Sequence, residues 1–164
     1  MQTDEHAFIE EYFRQNEAVI AKICRAYSND SEEFKDLMQE VLLQLWKSKD
    51  SFEHQSKLST WVYRVALNVC LSYLRKRKIK TVALQQSDFN TWDGNDHDRK
   101  EEIDVLYLAL KALSNEERAI MLLYLEEKKY EEISQILGIS GTHVGVKINR
   151  TKKKLKKIIE GYGY

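Results

Sequence analysis

The chain has 164 residues, with 26 Lys+Arg balancing 26 Asp+Glu, two cysteines and no proline. About eight prolines are expected at average usage, so the commonest helix breaker and the stiffest linker residue are both missing. With Leu, Ile, Glu, Lys and Gln abundant, the composition is all-α and long enough for one mid-sized domain or two small ones. No window reaches about 18 uninterrupted apolar residues, so no membrane insertion is expected.

Taken in order, the pattern begins with MQTDEHAFIEEYFRQNE, acidic and amphipathic with no signal-peptide layout. Apolar positions at 3–4 spacing run from Phe8 to Tyr27 and predict a first helix over residues 5–27. Asp30-Ser-Glu-Glu33 has capping-box spacing and opens a second helix to about Lys47. Polar residues 48–57 read as a loop, and a third helix is expected over about 59–78. Residues 81–102, TVALQQSDFNTWDGNDHDRKEE, lose the periodicity and read as an acidic, flexible linker. Helical pattern resumes at about 103–113, and Ser114-Asn-Glu-Glu117 caps a helix to about Glu127. Tyr130–Leu137 and about 142–159 complete the set. The expected architecture is two small helical domains, 5–80 and 103–160, joined by that linker.

The balanced net charge conceals segments. Residues 1–50 carry 6 basic and 11 acidic side chains, 51–80 carry 7 and 1, 81–110 carry 2 and 7, and 111–164 carry 11 and 7. Two basic blocks on one chain suggest two polyanion-facing surfaces. Cys24 and Cys70 fall in apolar helical patterns and read as buried thiols. His6, His54, His97 and His143 are scattered, and no H-E-x-x-H, phosphate loop or nucleophile signature is present. A non-enzyme is therefore expected, with no catalytic residue, metal or cofactor.

Three helix faces carry information. On 36–47, Leu37, Met38, Val41, Leu42, Leu45 and Trp46 fall on one half of the wheel. Leu43 lies in the polar half among Asp36, Gln39, Glu40, Gln44 and Lys47, either as a stray exposed leucine or as a partner-docking patch. On 59–78, Val62, Val65, Ala66, Val69, Cys70, Tyr73 and Leu74 form the buried side. Trp61, Arg64, Asn68, Ser72 and Arg75 form the opposite stripe. That composition suits stacking on unpaired bases while holding phosphates; the alternative is a Trp half-covered by Arg stems.

The third face lies in YEEISQILGISGTHVGVKINRTKKKL. Ile133, Leu137, Ile139 and Val144 keep helix-turn-helix spacing, small Ser134 allows a close crossing, and Gly138 supplies a left-handed turn. The last helix carries seven basic residues before Glu160, as a recognition helix would. A basic hairpin docking on an acidic protein is the competing account.

The segments DLMQEVLLQLW, LSTWVYRVALNVCLSYLRKRK and LSNEERAIMLLYLEEKKYEEISQILGIS, followed by VKINRTKKKL, together resemble the extracytoplasmic-function (ECF) sigma factors of bacterial RNA polymerase. The VKINRTKKKL ending is similar to those common in Bacteroidetes. The resemblance implies that Asp36, Gln39, Glu40, Leu43 and Lys47 dock on the β′ clamp helices of core RNA polymerase. It implies that Trp61, Arg64, Asn68 and Arg75, with Phe52, Lys57 and Ser59, hold unpaired −10 promoter DNA. Residues 107–157 resemble region 4, which reads −35 DNA and meets the β flap; the matching candidates are Thr142, His143, Val146, Lys147, Arg150, Lys153 and Lys154. An anti-sigma factor partner, a linker threading the RNA exit path and a cytoplasmic location are further implications.

Gly141 and Gly145 depart from the larger residues the family usually has early in that helix. Two rivals stand beside the sigma reading. One is a polymerase-independent helix-turn-helix regulator, which leaves Leu43 and the Trp61 stripe unexplained. The other is a helical adaptor for acidic proteins.

Overall fold

The computed structural model describes residues 2–52, 57–77 and 97–164, and the description below is confined to them. They form seven α-helices, with no strand among the described residues, as the composition led us to expect. The chain divides into two compact units, Met1–Asp88 and Phe89–Tyr164. The sequence places the linker at 81–102; its residues 81–96 lie outside the described residues.

The first unit is a three-helix bundle of α1 (Gln2–Tyr27), α2 (Ser31–Ser48) and α3 (Leu58–Arg77). Each helix contributes an apolar stripe at 3–4 spacing: Ile20, Ile23, Cys24 and Tyr27 from α1, Leu37, Val41 and Leu45 from α2, and Val62, Ala66 and Cys70 from α3, all buried. Neither cysteine forms a disulfide and both are buried, so the thiols are part of this core. The loop after α2 begins with a 3-10 turn at Lys49–Ser51.

The start of α2 differs in detail from a reciprocal capping box. The Asp30 carboxylate accepts from Glu33 N–H at 2.8 Å, but the Glu33 carboxylate accepts from Asn29 N–H rather than from Asp30. That leaves Glu33 within 2.6 Å of the Arg77 guanidinium, so one side chain ties the N-terminus of α2 to the last described turn of α3. Burial and the neighbouring Glu33 carboxylate push the Tyr73 phenol above its ordinary pKa.

Two expectations need correction. Leu42, placed by the wheel on the buried half of α2, is 36% exposed, because α1 and α3 cover only the Leu37–Val41–Leu45 stripe and its edges. Tyr73 and Leu74, placed on the buried side of α3, are only half-buried near the open end of the bundle.

The second unit comprises α4 (His97–Lys111), α5 (Asn115–Leu125), α6 (Tyr130–Leu137) and α7 (Gly141–Gly161). Helix α4 starts six residues before the apolar periodicity resumes. Ser114 forms the full capping box of α5, accepting from Glu117 N–H at 3.2 Å and donating its own N–H to the Glu117 carboxylate at 2.9 Å. Six consecutive residues of α5, Arg118–Leu123, are buried, so this helix runs through the centre of the unit. Arg118 is the exception in kind. Its guanidinium donates to the carbonyls of Leu110, Lys111 and Leu113 at 3.0–3.3 Å, which closes the C-terminal end of α4.

Candidate nucleic-acid and polymerase interfaces

In the first unit, α2 has two flanks beside its buried stripe, and each lines a different groove. Asp36, Glu40, Gln44 and Ser48 face α3 across an open groove of about 750 Å³, whose other wall is Trp61, Arg64, Asn68, Ser72 and Lys76. The sequence treats the polar side of α2 and the stripe of α3 as separate surfaces; the bundle turns them into one cleft, acidic on one wall and cationic on the other. On its other flank, Gln39, Leu42, Leu43 and Trp46 share a groove of about 580 Å³ with Phe13, Arg14 and Glu17 of α1. Leu43 is 44% exposed there beside half-exposed Leu42, so it belongs to a small apolar patch rather than standing alone.

The five docking candidates are therefore divided: Asp36 and Glu40 line the α2–α3 groove, Gln39 and Leu43 the α1–α2 groove. Lys47 is exposed nearby on α2 and lines neither. Leu42 and Phe13 are additions that the α2 wheel did not yield.

At the N-terminal end of α3, the Trp61 ring is half-buried against Phe52, centroids 5.2 Å apart at 37°. Lys49 places its ammonium 4.1 Å from the Trp46 ring centre, so the short turn between α2 and α3 carries an aromatic and cationic surface. Lys57 is exposed and Ser59 half-buried in the approach to Trp61, while residues 53–56 lie outside the described set. Arg64, Asn68 and Arg75 are exposed; the first two share the groove with Trp61.

In the second unit, Gly138 adopts the left-handed conformation at φ +68° that the turn between α6 and α7 requires. Ser134 does more than allow a close crossing: its hydroxyl donates to the Ile139 carbonyl and locks the turn. Ser140 caps α7 by accepting from His143 N–H at 3.3 Å. Val144, Ile148, Thr151 and Leu155 form the buried line of α7. Thr142, His143, Val146, Arg150 and Lys153 are exposed away from that line, and Asn149, which the sequence reading passed over, is exposed among them.

Lys147 and Lys154 are placed differently. Lys147 pairs with Glu116, and Lys154 with Glu117 at 3.0 Å, both across to the first turn of α5. The Ser114 N–H, with Lys154 assisting, holds the Glu117 carboxyl below its ordinary pKa. Lys152 lies along the Tyr124 ring, 5.0 Å from its centre, and its hydrogen bond to the Tyr124 hydroxyl raises the ammonium pKa. Gly145 sits beside the Tyr130 ring, 3.6 Å from where a Cβ would stand, so this turn of α7 has an aromatic wall in place of a side chain of its own.

Comparison with known proteins now decides the family. Residues 12–79 match the Sigma-70 region 2 family and residues 103–155 the Sigma-70 region 4 family, in that order. The ECF RNA polymerase sigma factor SigM of Mycobacterium tuberculosis is 24% identical over 160 residues, covering 97% of this chain and 80% of the relative. The chain belongs to the ECF sigma factors.

SigM of Bacillus subtilis is 23% identical to this sigma factor over 92% of the chain and 94% of the relative. Among solved structures, CnrH, described in complex with the cytosolic domain of CnrY, superposes with a TM-score of 0.70 at 16% identity over 93% of this chain and 88% of its own. The sigma factor RpoE of Bartonella quintana, described in complex with the anti-sigma factor NepR, gives 0.67 at 21% identity over 92% and 98%. Among the described residues of this sigma factor, no helix is long and apolar enough to cross a membrane.

Proposed function

We propose that this sigma factor brings core RNA polymerase to a promoter, reads the −35 element as duplex and uses binding energy alone to stabilise opened −10 DNA. What supports the reading is the coexistence on one chain of two surfaces of different make, each with a composition suited to nucleic acid. One is built for unpaired bases, the Phe52–Trp61 pair beside Arg64 and Asn68. The other is built for a duplex, the Ser140-capped helix α7 with Thr142, His143, Val146, Arg150 and Lys153 outward. A regulator independent of polymerase needs only the second.

Region 2 is assigned to 5–80 and region 4 to 103–160, with the acidic tether between them. Polymerase docking is assigned to the α1–α2 groove around Leu42 and Leu43 together with the acidic wall Asp36–Glu40, and Lys47 at its margin. Lys57 and the Ser59 hydroxyl are assigned to the DNA approach beside Trp61, Arg75 to the exposed cationic stripe further along α3, and Lys147 and Lys154 to a secondary cationic edge of α7. The protein carries out no chemistry of its own and works in the cytoplasm, where polymerase and DNA are. The two solved relatives described with partner proteins support an anti-sigma factor for this chain as well.

Permanganate reactivity of unpaired thymines tests the reading directly. Genomic promoter fragments selected by the polymerase–sigma complex become reactive near −10 only when both core enzyme and this chain are present. Selection of the same fragments by the chain alone, with no opening on addition of core enzyme, supports the regulator instead.

A further inference from the structure

Helix α7 carries seven basic side chains and one acidic, yet two of its cations are held by α5 rather than left for a polyanion. The two acceptors are not equivalent. Glu117 belongs to the capping box, so its carboxylate has a folding role through Ser114. Glu116 has no such role in the cap; its side chain is 63% exposed at the water-facing rim of α5, where the helix N-terminus favours a carboxylate. Its partner Lys147, 35% exposed, lies between buried Val144 and exposed Arg150, at the edge of the face proposed to meet duplex DNA.

We propose that Glu116 is a specificity-determining residue that competes with DNA phosphate for Lys147 and so weakens sequence-independent binding by region 4. The inference rests on the reading that α7 meets duplex DNA. A phosphate contact by Lys147 requires its ammonium to leave Glu116, and the freed carboxylate then stands beside the DNA backbone, where it repels phosphate. Lys147 therefore contributes little to contacts that carry no sequence information. It is released only where the rest of α7 is seated well enough to offset the broken pair. Such a brake suits a subunit that has to sample a genome without being captured by it, because sequence-independent affinity comes from phosphate neutralisation.

The test uses the full chain and a random-sequence DNA duplex followed by fluorescence anisotropy through a salt series, comparing wild type, Glu116→Gln, Lys147→Gln and the double variant. Exposed pairs of this kind are worth at most about a fivefold change, so Glu116→Gln is expected to tighten duplex binding about three- to fivefold. The slope of log affinity against log salt steepens by about 0.9, one additional phosphate contact. In the Lys147→Gln background the gain from Glu116→Gln falls below about twofold, because the two residues act as one coupled unit.

Unchanged or weaker binding by Glu116→Gln overturns the proposal and makes Glu116 a brace between helices. An equal gain with Lys147 removed also overturns it, leaving only general charge repulsion, and so does absence of duplex binding by every variant at low salt. Binding of the same proteins to core RNA polymerase is measured in parallel. Failure there sinks the sigma reading by itself, while the coupling between Glu116 and Lys147 on DNA is judged separately.

Discussion

Replacing Arg118 by Met is expected to destabilise the Phe89–Tyr164 unit by about 3 kcal/mol, with amide exchange in α5 accelerated accordingly. The side chain is 8% exposed and donates to three carbonyls at the end of α4. Methionine has similar length and fills the space, so the loss isolates the hydrogen bonds from packing. Removing a charged donor costs about 1.5–3 kcal/mol, and the upper end applies because three carbonyls lose one shared donor while water reaches the part-buried Lys111 carbonyl. Arg118→Lys rescues only part of the loss, because one ammonium cannot reproduce the planar fork that reaches Leu110 through Nε and both Lys111 and Leu113 through Nη2. A change below about 1 kcal/mol for the Met variant means that water replaces the guanidinium at the α4 terminus.

The second large effect falls on promoter opening. Trp61→Ala is expected to lower the equilibrium yield of open complex about 5- to 150-fold, the range that one lost base-stacking contact of about 1–3 kcal/mol allows. The ring is half-buried on Phe52 rather than in the core, so the bundle remains folded and binding to core polymerase is unchanged. Trp61→Phe retains a stacking face and recovers part of the opening. If the alanine variant opens promoter DNA as well as wild type, the Phe52–Trp61 pair is packing and the −10 strand is held elsewhere.

How much of this was legible in the sequence depends on the range over which the physics acts. Helix starts at Asp30, Ser114 and Ser140 were readable because a cap and its N–H partner lie three residues apart. The Gly138 turn was readable because few residues other than glycine take positive φ without cost. The buried stripes of α2 and α3 followed from periodicity, but Leu42 did not, because a wheel says which side is apolar and not how far two neighbouring helices reach around it.

Features that join distant positions were invisible. Lys147 and Lys154 looked like free cations on a basic helix; the carboxylates that hold them lie 31 and 37 residues earlier. Arg118 carried a faint signal, an arginine leading the apolar run Ala119–Leu123, but its acceptors are set by where α4 ends. The polar flank of α2 and the Trp61 stripe were each identified, and their union in a single groove had to await the packing angle of two helices.

The central claim is that this chain is a subunit of RNA polymerase, and it is tested most directly by the affinity of the purified protein for bacterial core enzyme, wild type against Leu43→Glu. Leu43 is 44% exposed on α2, so the substitution leaves the bundle core intact while placing a charge in the apolar patch it forms with Leu42. The account predicts submicromolar binding that the variant weakens by about tenfold or more, as expected for a hydrophobic anchor near the centre of an interface. Tight binding unaffected by the substitution moves the interface to another face; no binding of wild type to core enzyme at low salt contradicts the account.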